Sequence, residues 1–163
     1  MHNAMAHSTV TFERTFAARR DRLFDAWRDP AKRAIWGAPF DGVEITYTEV
    51  DFRQGGRDVC ECVAGDERFD ITTHYFVIDD GSLIVSSETL VIDDTVQGVT
   101  LISAEFFDQN AGSRLALTLQ TVGIGGSGFE TELEDGWRHA LDAMALLLGR
   151  FAPQSPRANC PDL

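Results

Sequence analysis

Apolar and polar residues change their period three times along this chain. From Ser8 to Phe16, Val10, Phe12, Arg14 and Phe16 alternate with polar or small neighbours. That two-residue period predicts a strand with one wet face. Leu23, Phe24 and Trp27 then fall at helical spacing in DRLFDAWRD, behind Asp21 as a candidate cap. Asp29-Pro30 ends this helix and opens a second, PAKRAIW, which stops at Gly37. Proline fits the first helical position, and the aspartate before it can accept the free N–H groups. Both helices are too short to persist alone, so each must dock on something.

From Val43 the period returns to two. VEITYTEVDFR, RDVCECVA, RFDITTHYFVI, SLIVSSETLVI, VTLISAEFF and SRLALTLQTV read as six successive strands. Gln54-Gly55-Gly56, Gly65-Asp66, Asp79-Asp80-Gly81, Asp93-Asp94 and Asn110-Ala111-Gly112 are the turns between them. Short turns between alternating segments make an antiparallel meander. The glycine-rich stretch GIGGSG, from Gly123 to Gly128, reads as a hinge, because it lacks the Lys-Ser/Thr of a phosphate loop and any βαβ context. From Phe129 to Arg150 the period is helical. Leu133, Trp137, Leu141, Met144 and Leu148 form one buried stripe, and Glu130, Glu132, Glu134 and Asp135 favour the amino-terminal end of the helix dipole.

The order β-α-α-β-β-β-β-β-β-α predicts an α+β fold of one domain, residues 8–151, with flexible tails at 1–7 and 152–163. A seven-stranded curved antiparallel sheet cannot leave an apolar face bare, and only the long carboxy-terminal helix is large enough to cover it. A curved sheet gripping one helix leaves a concave, mostly apolar space, the kind of place where small ligands bind.

Composition narrows the partners. The chain has 163 residues and a formal net charge of −12. Nucleic acids and anionic membranes need clustered Lys and Arg, so neither is an expected partner. No apolar run approaches the length of a membrane span, and MHNAMAHSTV has neither the basic nor the apolar part of a secretory signal, so the expected location is cytoplasmic. Three cysteines argue against a disulfide framework. Cys60 and Cys62 share one strand face, but a metal would need two more ligands, so neither a metal nor a cofactor is expected. Cys160, in the proline-containing tail, reads as a free thiol.

Four stretches together resemble the START-like, helix-grip superfamily, also called SRPBCC, and within it the family named for the homologue of the activator of the heat-shock-protein-90 ATPase. LFDAWRDPAKRAIWGAP, behind Phe16-Ala17-Ala18, is similar to the family's apolar opening. Asp51, Arg53, Gly55 and Gly56 resemble its D-x-R-P-G-G turn, with Gln54 in place of proline. Phe69 and Tyr75 resemble its F-x-x-x-G-x-Y strand, with Thr73 in place of glycine. Gly136, Trp137 and Leu141 resemble its G-W-x-x-x-L helix. The superfamily hosts carriers of hydrophobic ligands, cyclases and chaperone-binding domains, so the resemblance implies the fold and leaves function to the site.

If the family's bulky residues after Gly-Gly point inward, parity puts Asp58, Cys60 and Cys62 toward the helix, and Thr73 and Tyr75 inward on the next strand. Against this, an unpaired buried carboxylate is costly, which favours a solvent-facing Asp58. Trp36, Phe40, Phe52 and Trp137 could supply an aromatic rim, with Leu141 beside them. Trp27 reads as packing beneath its helix, and Trp36, before Gly37-Ala38-Pro39, as the mouth. His74 should face out. Glu88 and Ser87 compete for the inward position. Thr46, Thr48 and Thr100 read as outward, which leaves a homodimer possible without deriving one.

Three functions follow as expectations. The first is a small-molecule binding domain for a hydrophobic or aromatic ligand, with Trp36, Phe40, Phe52, Asp58, Cys60, Cys62, Thr73, Tyr75, Trp137 and Leu141 as its residues. The second is a cyclase- or dehydratase-like enzyme on a polyketide-like or aromatic substrate, which needs two polar groups within reach of one substrate. Asp58, Tyr75 and Glu88 are its only candidates. The third is a chaperone-interacting domain.

Overall fold

Left-handed turn residues set the sheet's hairpins. Asp93 (φ 48°), Asp94 (φ 59°) and Asn110 (φ 52°) hold the backbone conformation that short polar side chains tolerate best. The structure is a computed structural model and describes residues 4–126 and 128–150. Its elements are β1 (Met5–Phe16), α1 (Arg20–Arg28), α2 (Pro30–Trp36), β2 (Glu44–Glu49), β3 (Arg57–Ala64), β4 (Glu67–Asp79), β5 (Leu83–Ile92), β6 (Thr95–Gln109), β7 (Gly112–Ile124) and α3 (Phe129–Arg150). One antiparallel sheet has the order β1-β7-β6-β5-β4-β3-β2. The meander therefore runs from β2 to β7, and β1 pairs with β7.

The helix-grip arrangement follows. Trp137, Leu141, Met144 and Leu148 of α3 are buried against the sheet's inner face, and Leu133 packs at its edge. Helices α1 and α2 close one end. Phe24 meets Phe106 edge-on at 5.0 Å, and Trp27 stacks on Trp137 at 5.8 Å, so the short helices are held by aromatic contact. Asp29 caps α2 as its spacing predicts, its carboxylate accepting the Ala31 N–H at 2.9 Å.

Two glycines mark places where α3 or its entry approaches closely. A methyl group at Gly98 would lie 2.2 Å from the Phe129 ring, which packs across β6. A methyl at Gly136 would meet the Pro39 side chain at 3.0 Å, so the loop after α2 rests directly on α3.

Several boundaries differ from those the sequence predicts. Met5–His7 belong to β1, because they complete its register against Gly123, Val122 and Ile124. Asp21 does not cap α1; the helix starts one residue earlier, and Asp21 lies in its first turn, where its charge suits the dipole. Strand β2 stops at Glu49, so Phe52 leaves the sheet. The chain turns there because the Asp51 N–H donates to the Asp58 carboxylate at 2.7 Å. Gly123 and Ile124 extend β7 and are not hinge. The tail 152–163, with Cys160, lies outside the described residues.

Candidate functional site

Strand register builds a polar row across the inner face. Ser8 stands opposite Thr121, Thr121 opposite Thr100, Thr100 opposite Glu88, Glu88 opposite Thr73, and Thr73 opposite Asp58. Directly opposed residues share a face, so six strands contribute one line of oxygen-bearing side chains beneath α3. Thr100, expected to face out, is fully buried, and its hydroxyl bonds Thr121 at 3.3 Å.

Asp58 ends this row in a closed cluster. It is 1% exposed. Arg33 Nη1 donates to its carboxylate at 2.5 Å and to the Tyr75 hydroxyl oxygen at 2.8 Å. The Tyr75 hydroxyl in turn donates to Asp58. Asp58 is buried and not solvent-facing, because Arg33, 25 residues earlier, supplies the missing charge. Burial works against the Arg33 charge, and the oxygens of Tyr47, Tyr75 and Asp58 more than restore it, so Arg33 titrates above its ordinary value. Its guanidinium also lies over the Tyr47 ring at 4.7 Å. Burial pushes both the Tyr47 and Tyr75 hydroxyls upward, against the pull of Arg33.

Between this cluster, the sheet and α3 lies a cavity of about 530 Å³. Its floor includes Cys60, Cys62, Thr73, Ser86, Glu88 and Thr100. Its walls include Trp27, Trp36 and Trp137, which are all the tryptophans of the chain, with Tyr47, Phe69 and Phe129. Phe40, Glu67, Ile92, Glu132 and Asp135 are its exposed members and mark where it meets solvent.

Glu88 is the polar feature of this space. It takes the inward position together with Ser86, and Ser87 faces away. Cavity space touches its surface, yet protein surrounds it. Burial pushes its carboxyl up from 4.5 to about 7, and Arg33 draws it back only in part. The Cys60 thiol is inert by comparison: contact with Cys62, then burial, pushes it well above its ordinary value.

At the mouth, His139 of α3 holds the loop after α2. Its ring nitrogens lie 3.0 Å from the Ala38 carbonyl and 3.1 Å from Asp41. The Ala38 carbonyl, more than Asp41, raises its pKa, because both favour the protonated ring.

Of the residues that sequence parity proposes, Trp36, Phe40, Cys60, Cys62, Thr73, Tyr75 and Trp137 line the cavity. Phe52, Asp58 and Leu141 do not. Phe52 packs edge-on against Tyr75 at 4.9 Å, Asp58 is sealed behind Arg33, and Leu141 is fully buried in the core. Trp36 is a wall and not the mouth: it is 4% exposed, and its Nε1 donates to the Ala26 carbonyl at 2.8 Å. Phe40 occupies the mouth. Trp27, read as packing alone, also borders the cavity. His74 faces out as its parity predicts. The sequence reading missed Arg33 and Tyr47. Arg33 stands three residues before Trp36, on the same helical face, and Tyr47 shares its strand face with Ile45; those spacings were the available signals.

The sheet, the gripped helix and the cavity between them define a START-like, helix-grip protein. Residues 17–149 match the family described as Activator of Hsp90 ATPase homolog 1-like protein, and the chain belongs to that family. A Rhizobium loti protein of known structure is 30% identical, with a TM-score of 0.77 over 88% of this chain and 98% of that one. A Rhizobium leguminosarum protein is 24% identical, with a TM-score of 0.81 over 92% of this chain and 99% of that one. The AHSA1 protein of Silicibacter pomeroyi is 21% identical, with a TM-score of 0.73 over 88% and 99%. No curated protein matches the chain. Among the described residues, no helix is long and apolar enough to cross a membrane.

Proposed function

We propose that this protein binds a small hydrophobic or aromatic molecule in the space between its sheet and α3. The observation that carries the reading is the cavity itself. About 530 Å³ falls within the ordinary range for small-molecule sites, and three tryptophans against a floor with a few polar groups is the usual composition of such sites. Native mass spectrometry of the purified protein, compared with its denatured mass, tests this directly. A small molecule released on denaturation is the expected result. In parallel, octanol should change the tryptophan fluorescence, since every tryptophan borders the cavity. Thr73→Phe, which fills the floor, should abolish that response while leaving the fold intact. A clean apo mass together with no response to octanol would sink the reading.

A second reading, an enzyme using acid–base chemistry, is favoured by Glu88 alone. A carboxyl titrating near neutrality inside a cavity suits proton transfer. Asp58 and Tyr75 are poor candidates for it, because each is engaged with the other and with Arg33. If a released ligand is turned over, the rate should follow the Glu88 titration, and Glu88→Gln should remove that dependence.

A further inference from the structure

The charges around the cavity discriminate between ligands, provided the cavity is a ligand site at all. Arg33 also borders the cavity and is the obvious anchor for an anion, but its donors are taken or covered. Its Nη1 is spent on Asp58 and Tyr75, and its face lies over Tyr47. Its Nε and Nη2 have no hydrogen-bond partner and no open surface through which a ligand oxygen could reach them. Asp58 already balances its charge.

Glu88 is the reverse case. It borders the cavity, and no hydrogen bond or ion pair ties it among the described residues. Its neighbours in register, Thr73 and Thr100, are neutral, and the Thr100 hydroxyl is committed to Thr121. An ionised carboxylate in such surroundings lacks the partner that would offset its desolvation. The mouth adds Glu67, Glu132 and Asp135 on a chain of net charge −12, a field that draws cations inward.

We infer that the cavity selects hydrophobic amines, with the ligand's ammonium group against the Glu88 carboxylate and its apolar body between the three tryptophans. The ammonium supplies the missing counter-charge, and the aromatic walls tolerate a cation better than an aliphatic wall does. A carboxylate of the same shape meets Glu88 and a guanidinium whose charge Asp58 already balances.

Octylamine, octanol and octanoate make a matched test, followed by tryptophan fluorescence and calorimetry at pH 8 on the full chain. Octylamine should bind at least about tenfold more tightly than octanol, and octanoate more weakly than both. Glu88→Gln should erase the preference for the amine while keeping octanol binding. The wild-type protein offers a check independent of that variant: the preference should fade as the pH drops below about 6, where Glu88 is protonated. The ionisable groups facing Glu88 are Arg33 from α2, Tyr47 from β2 and Cys60 from β3; Cys62 of β3, Glu67 and Tyr75 of β4, and Glu132 and Asp135 of α3 border the same space. Arg33, Tyr47 and Cys60 are each pushed above their ordinary values and do not titrate between pH 6 and 8. Octanoate binding as tightly as octylamine, or a preference that survives in Glu88→Gln, overturns the inference and leaves the cavity reading standing. Failure of all three to bind overturns both.

Discussion

Asp58 and Glu88 stand in one row of the same sheet, with Thr73 between them, and share the inner face. Asp58 is enclosed by Arg33, Tyr75 and the Asp51 N–H, so its charge and both its carboxylate oxygens are met. Glu88 opens onto the cavity with its proton affinity raised by burial. Position in the row is therefore a poor guide to role. The partner decides: a carboxylate that is met becomes architecture, and one left unmet becomes a group that a ligand can complete.

The largest test of this contrast is Asp58→Ala. It strands a buried guanidinium and should cost roughly 3–5 kcal/mol, read from urea denaturation. Replacing both partners, Arg33→Met with Asp58→Leu, should recover most of that loss. A single substitution costing no more than a surface change would show that Asp58 is not structural.

Glu88→Gln should do the opposite. Because the folded-state pKa is raised, the unfolded chain sheds its proton first. Stability therefore falls as pH rises from about 4.5 to about 7 and is level above that. Removing the charge should stabilise the protein at pH 8 by about 3 kcal/mol and leave it little changed at pH 4. Denaturation at the two pH values checks the sign; a loss of stability at pH 8 would mean that Glu88 has a partner.

Tyr75→Phe is the smallest of the three. It removes one hydroxyl donor from a charged acceptor and should cost about 2 kcal/mol. A near-zero effect would mean that Arg33 alone satisfies Asp58.

The sequence reading and the structure part company at instructive places. The α3 stripe was legible because Leu133, Trp137, Leu141, Met144 and Leu148 follow the geometry of one helix, and each turn of α3 carries its own evidence. Parity likewise placed Cys60, Cys62, Thr73 and Tyr75 inward. Thr100 was misjudged because a threonine suits either face, and only its register with Glu88 and Thr121 puts it inside. Trp36 was misjudged because a tryptophan beside a turn reads as exposed until the Ala26 carbonyl that accepts its N–H is found.

What the sequence determined by itself was periodic: seven strands, a long helix, their order, and so the grip of one on the other. Local spacing suffices because a residue's face depends on its near neighbours in the chain. The fate of Asp58 and the openness of Glu88 were decided only by the tertiary structure. Arg33 reaches Asp58 from another element, and the cavity that leaves Glu88 open exists only once the sheet curves beneath α3. A carboxylate's energy depends on which charges and how much water lie within a few ångströms, and no spacing along the chain encodes that.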